Sequence, residues 1–258
     1  MSDEMITETK FFESPVDGTK QRYIIEYPES GKADLTVVYL HSGIHPAEQG
    51  FKRSAEWGFA PVGDETAARG GVYISPDYRG DSWYNEAAEA DILYLVNRAS
   101  ESFGTKRLIL VGTSMGGGAA LAFAEGHSDM VDGVIAIAPA LNILDVYREN
   151  EAAPDYFNRS IVRTIVRAYG GTPEEKGESY YVSRSAEGCP DNLTMPVVIR
   201  QGDGDKTLSV EDTRRFVCDA LDRGVNVLYD EIPFATHDSV TANIPWKEYF
   251  DFVIGEQQ

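Results

Sequence analysis

The sequence predicts an α/β protein: a mostly parallel central sheet with helices packed on both faces. Short apolar runs, LTVVYL, GVYIS, LILV, VIAIA and PVVIR, recur along the chain and read as strands buried on both sides. Longer stretches between them place apolar residues at helical spacing, so strand and helix alternate. At 258 residues the chain fits one large domain with a sizeable core better than two small ones, and the expectation is a single domain over 1–258.

The elements follow in order. Residues 5–14 and 21–27 flank the turn signal Val16-Asp17-Gly18-Thr19, which predicts an opening antiparallel pair. Leu35–Leu40 is an apolar strand running into His41-Ser42-Gly43. A long loop follows, with one helix expected near Ala47–Gly58 and another near Asp64–Arg69. Gly71–Ser75 is the next strand and ends at Pro76-Asp77-Tyr78-Arg79-Gly80. Asn85–Phe103 carries apolar residues at 88, 92, 95, 96 and 99, a spacing that covers one face of the sheet with a helix. Val134–Ala138, Pro196–Arg200 and Val225–Ile232 complete the strands, and Ser209–Arg223 reads as a capped helix ending at Gly224.

Leu141–Thr194 breaks the alternation, because about fifty residues is long for a plain crossover. Asn158–Tyr169 is amphipathic within it, and Thr172-Pro173-Glu174-Glu175 begins as a capping box. Residues 141–194 are therefore expected to form a small helical insertion, either a lid over the carboxyl edge of the sheet or a helix pair against its flank.

The chain is organised around KRLILVGTSMGGGAALAFAE, Lys106–Glu125. It reads as a buried strand, a turn too tight for ordinary side chains, and a helix that starts at once. Gly112-Thr113-Ser114-Met115-Gly116 matches G-x-S-x-G, a nucleophile elbow whose glycines let strand and helix backbones approach. Ser114 would project its hydroxyl at the carboxyl edge of the sheet, beside the Met115 N–H at the helix start.

Composition narrows the partners. Apolar residues at 42% and charged residues at 25% describe an ordinary globular chain. The formal charge of −19 repels nucleic acid and anionic membrane, so neither is expected as a partner. No apolar run approaches a membrane span, and MSDEMITETK lacks the order of a secretory signal, which makes the cytoplasm the expected location. Cys189 and Cys218 stand in no metal spacing, and Cys218 in RRFVCDALD is expected to be a buried small hydrophobe.

A serine hydroxyl needs a base, and the base an orienting carboxylate. His127 ends the helix that begins at the elbow, roughly 15–20 Å from Ser114 at 1.5 Å per residue, and is excluded. His41 and His45 follow the strand after which an oxyanion loop is expected, so their role is positional. His237, in Pro233-Phe234-Ala235-Thr236-His237-Asp238 after the final strand, is the expected base. The loop in VVIRQGDGDKTL offers both Asp203 and Asp205 as the carboxylate. It does not read as a calcium loop: counted from Asp203, the sixth position is Leu208 rather than glycine and the twelfth is Arg214 rather than glutamate.

HSG after the second major strand, PDYRG after the next, GTSMG, QGDGDKTL and the late His237 together resemble the α/β-hydrolase superfamily over nearly the whole chain. PDYRGDSW and YGGTPEEKGESYYVSRS are similar to segments of its dienelactone hydrolase and prolyl-oligopeptidase-like branch and of related acetyl and feruloyl esterases. The resemblance implies an α/β-hydrolase fold and a serine esterase. It selects Asp205, three residues after Gly202 and three before the apolar Leu208. It also points to Gly43 N–H as the second oxyanion donor beside Met115 N–H, although this chain has Ser42 where many relatives have glycine.

The implied chemistry is two-step acyl transfer on Ser114, with His237 as base, Asp205 holding its tautomer, and each oxyanion donor worth roughly 3–4 kcal/mol. With a histidine base, activity is expected to rise through roughly pH 6–7. No cofactor and no metal are implied, and the expected partner is a small-molecule ester with a small-acyl, carbohydrate or aromatic group. The same triad also serves peptidases, thioesterases and acyltransferases. Oligopeptidases of this branch carry a large extra domain for which the region ahead of LTVVYL has no room. A non-catalytic binding protein on this fold would be expected to have lost a triad member. Tyr78, Trp83, Tyr84, Tyr156, Tyr180 and Tyr181 are aromatic residues available either to line a cleft or to pack.

Overall fold

A computed structural model of the chain describes residues 4–153, 155–186 and 192–255. Eight strands form one sheet: β1 (Met5–Glu13), β2 (Lys20–Pro28), β3 (Leu35–Leu40), β4 (Val72–Pro76), β5 (Arg107–Thr113), β6 (Gly133–Ile137), β7 (Val197–Gly202) and β8 (Val227–Ile232). Their spatial order is β1-β2-β4-β3-β5-β6-β7-β8, antiparallel at the first two pairings and parallel from β4 onward. The helices are α1 (Ala60–Ala68), α2 (Glu86–Phe103), α3 (Met115–Gly126), α4 (Ile143–Ala152), α5 (Tyr156–Tyr169), α6 (Pro173–Lys176), α7 (Glu178–Ser183), α8 (Val210–Asp222) and α9 (Trp246–Ile254). The α/β-hydrolase fold expected from the sequence is the one observed.

The central strands are apolar throughout because both of their faces are covered. Val38, Leu40, Leu108, Leu110, Val134 and Ala136 point into a core closed by α2, α3, α8 and the insertion. Val37, Tyr39, Ile109, Val111, Ile135 and Ile137 point the other way, against α1 and α9. Helix ends follow local chemistry: Asn85 accepts from Ala88 N–H to start α2, and Gly104 closes it at φ 74°. Asp155 caps α5 by accepting from Asn158 N–H, and Thr172 with Glu175 forms the capping box of α6.

Several expectations need correction. Only Ala47–Phe51 of the helix expected near Ala47–Gly58 forms, as a short 3₁₀ turn; Gly50 packs so closely that a Cβ there would lie 2.6 Å from Tyr73 Oη. The helix expected at Asp64–Arg69 begins earlier, at Ala60, where Pro61 in the first turn suits a helix start. Helix α9 was not legible because WKEYFDFVI mixes aromatic and charged residues over a short span. Cys218 is exposed: α8 turns Thr213, Phe216, Val217 and Ala220 inward and leaves the cysteine on its outer face. Cys189 lies outside the described residues. Among the described residues, no helix is long and apolar enough to cross a membrane.

Candidate active site

Ser114 occupies the turn between β5 and α3 with φ 56° and ψ −118°. A residue with a Cβ adopts this backbone only where its surroundings enforce it. Here Ser114 N–H donates to Ile137 O at 2.8 Å, and its carbonyl accepts from Ala140 N–H at 3.0 Å and Gly118 N–H at 3.1 Å. The two elbow glycines make the crossing possible. A Cβ on Gly116 would lie 2.0 Å from Leu40 O, and one on Gly112 would lie 2.0 Å from Gly116 O.

His237 Nε2 lies 3.0 Å from Ser114 Oγ, and His237 Nδ1 lies 2.7 Å from Asp205 Oδ2. A carboxylate only accepts, so Nδ1 carries the proton of the neutral imidazole and Nε2 is left to accept from the serine hydroxyl. Asp205 is nearly saturated. Its Oδ1 accepts from Thr207 N–H at 2.8 Å and Leu208 N–H at 3.0 Å, and Oδ2 also accepts from Gln201 Nε2 at 2.9 Å. Burial works against its ionisation, but the His237 hydrogen bond and the two N–H donors outweigh it and hold the carboxyl below its ordinary range. Asp203 is not part of this relay: its Oδ1 accepts from Phe234 N–H and braces the loop that leads to His237.

The loop after β3 presents three successive N–H groups, of which two are occupied. Ser42 N–H donates to Gln49 Oε1 at 2.8 Å, and Ile44 N–H donates to Asp81 Oδ1 at 2.6 Å. Gly43 N–H has no acceptor among the described residues. Met115 N–H opens α3 and lies beyond the reach of that helix's own carbonyls. The motif and the resemblance expect these two groups to act as oxyanion donors. Ser42 in place of glycine is accommodated because its hydroxyl lies 2.9 Å from both His45 Nδ1 and Gln49 Nε2. His41 sits beneath the loop, with Nδ1 2.8 Å from Ser42 O and Nε2 3.0 Å from Asp77 O, while Tyr78 Oη–H donates to its carbonyl at 2.5 Å. Burial lowers its basicity, and the two carbonyls oppose that only in part. His127 lies away from the relay, with Nε2 3.0 Å from Glu89 Oε1.

A cleft of about 540 Å³ opens over Ser114 and His237. Trp57, Trp83, Tyr156, Phe157, Val146, Ile161 and Leu208 line it, with Gly43 and Asp81 at one side. Helices α4 and α5 supply Val146, Tyr156, Phe157 and Ile161, so the insertion covers the carboxyl edge of the sheet. Of the six aromatic candidates only Trp83 and Tyr156 line the cleft. Tyr78, Tyr84 and Tyr181 are buried packing, and Tyr180 donates its hydroxyl to Glu86 Oε2 at 2.7 Å. Sequence reasoning missed Trp57, Phe157, Asp81 and Gln201. Gln201, directly before Gly202 at the end of β7, follows Arg200 as the second of two polar residues after the apolar VVI, and that break in the run was the one signal available.

Comparison with known proteins agrees with the fold. Residues 74–189, less than half of the chain, match the model of a hydrolase family described as serine aminopeptidase, S33. No curated protein matches the sequence. A Bacteroides ovatus protein assigned as a dipeptidyl aminopeptidase IV superposes with a TM-score of 0.72 at 16% identity, over 98% of this chain but only 36% of the other. A fluorophosphonate-binding serine hydrolase of Staphylococcus aureus superposes with a TM-score of 0.70 at 16% identity, over 96% of this chain and 98% of the other. An esterase from the fungus Rhizomucor miehei gives 0.67 at 17% identity, over 100% and 87%. At such identities the likeness to these structures is one of fold. Taken with the sheet order and the serine elbow, these matches show that the chain has the α/β-hydrolase fold.

Proposed function

We propose that this protein is a serine esterase that cleaves small-molecule carboxylic esters through an acyl-enzyme on Ser114. The observation that carries the reading is the continuous relay from Ser114 Oγ to His237 at 3.0 Å and from His237 to Asp205 at 2.7 Å. As Ser114 attacks the ester carbonyl, His237 Nε2 takes its proton and Asp205 holds the imidazolium in place. The N–H groups of Gly43 and Met115 stabilise the tetrahedral oxyanion. His237 returns the proton to the departing alcohol, then activates the water that releases the acid. The apolar, aromatic cleft supports a neutral acyl or aromatic group close to the serine.

Peptide hydrolysis is the second reading. The match to a serine aminopeptidase model and the likeness to a dipeptidyl aminopeptidase favour it. Hydrolysis of p-nitrophenyl esters from acetyl to decanoyl, beside aminoacyl p-nitroanilides, separates the two. The expected result is turnover of short esters that falls by roughly 10⁴-fold or more in Ser114→Ala. Turnover of the anilides alone would establish the peptidase. A folded protein inactive on both would overturn the esterase reading.

A further inference from the structure

Trp57 has no part in the relay or the oxyanion loop, yet its conformation and contacts converge on both. Residues 52–56 are exposed, and the loop then turns Trp57 back into the cleft. Its φ of 56° is a left-handed conformation that a bulky aromatic residue adopts only under constraint. Two hydrogen bonds supply it. The backbone N–H donates to Thr241 Oγ1 at 3.0 Å, and the indole Nε1–H donates to Asp238 Oδ1 at 2.9 Å. Both acceptors belong to the turn that immediately follows His237. The indole centroid lies 5.5 Å from the His237 imidazole at an interplanar angle of 57°, and 5.5 Å from the His45 ring at 15°. His45 Nδ1 in turn lies 3.0 Å from Gly43 O, on the oxyanion loop.

We propose that Trp57 is a positioning residue for His237, holding the ring against the serine and steadying the imidazolium that forms when His237 takes the Ser114 proton. The inference rests on the reading of His237 as the base. An indole is the best aromatic partner for a cation within about 6 Å of its ring, and the contact strengthens as His237 becomes charged. Asp205 faces Nδ1, Ser114 faces Nε2, Asp238 follows in the chain and holds the indole N–H, and His45 packs on the same indole. Among these groups Trp57 can be replaced without altering the charge around the base or breaking the relay.

NMR titration of the imidazoles tests this directly, with the His237 signal identified by its loss in His237→Gln. In Trp57→Leu the His237 midpoint is expected to fall by roughly 0.5 in pH or more, and kcat on p-nitrophenyl acetate by roughly three- to thirty-fold with little change in KM. Trp57→Phe keeps a ring and the packing; its midpoint is expected between those of wild type and Trp57→Leu, and it carries the test should the leucine variant not fold. An unmoved midpoint, or a change confined to KM, would overturn the proposal and leave Trp57 a wall of the cleft. The titration needs no substrate. A wild type inactive on every ester therefore counts against the esterase reading, while an unmoved midpoint counts against the role of Trp57 alone.

Discussion

Gln201 Nε2 donates at 2.9 Å to Asp205 Oδ2, the same oxygen that accepts from His237 Nδ1 at 2.7 Å. The carboxylate is thereby oriented from inside the sheet as well as from its own loop, and the buried Gln201 Oε1 is left without a partner among the described residues. Such an arrangement spends an unsatisfied amide oxygen on the aim of the acid. Gln201→Leu is expected to lower kcat roughly ten- to a hundredfold, the scale of one lost hydrogen bond to a charged group, whereas Asp205→Asn is expected to lower it about 10⁴-fold. Steady-state kinetics of both variants beside the wild type check the ordering; equal rates in Gln201→Leu and wild type would remove Gln201 from the site.

Asp81 braces the loop proposed to hold the oxyanion. Its Oδ1 takes the Ile44 N–H, next to Gly43, which lines the cleft. Asp81→Ala frees Ile44 and lets the loop relax, with an expected kcat loss on the order of tenfold, less than the 10²–10³ of deleting an oxyanion donor outright. Asp81→Asn retains an acceptor oxygen and should stay within a few-fold of wild type. A full kcat in Asp81→Ala would separate the carboxylate from the loop's function.

Gly116 is a matter of space. A methyl group there meets Leu40 O at 2.0 Å and His41 O at 2.6 Å, both rigid backbone atoms at the end of β3. Gly116→Ala is expected to destabilise the protein by about 3 kcal/mol or more and to lower the melting temperature by on the order of 10 °C. Thermal unfolding followed by circular dichroism measures it, and an unchanged melting temperature would mean that the elbow and β3 separate more easily than their packing indicates.

His41 makes stability depend on pH. Burial lowers its basicity in the fold, opposed in part by the Ser42 and Asp77 carbonyls. The unfolded chain therefore binds a proton at this position at pH values where the fold does not. Stability from this group is present above the unfolded value of about 6.5 and is lost as pH falls from there through the folded value. Chemical denaturation at pH 7.5 and 5.5 should show a larger loss for wild type than for His41→Asn, by up to about 1.4 kcal/mol per pH unit over that window. Parallel losses in the two proteins would assign the acid sensitivity elsewhere.

Much of this protein was decided by local chemistry and was legible as such. Strands covered on both faces must be apolar at every position, so LTVVYL and LILV stood out. A strand that turns at once into a helix needs glycines where the backbones cross, so GTSMG placed Ser114. His237 emerged because it lay after the last strand while His127 lay at the far end of a helix. The carboxylate was less legible: Asp203 and Asp205 share one loop and one chemistry, and only the superfamily resemblance chose between them before the geometry gave each its partner. Tertiary structure alone decided the rest. His237 meets Ser114 across 123 residues, and Trp57 meets Asp238 across 181. A tryptophan in the polar stretch KRSAEWG, or an aspartate in a turn, carries no periodic signal because its neighbours in sequence do not set its partner. Periodicity and turn strain act between residues a few positions apart, whereas the contacts that join His237 to Ser114 and Asp205, and that leave Gly43 N–H without an acceptor among the described residues, exist only once the sheet has brought its carboxyl ends together.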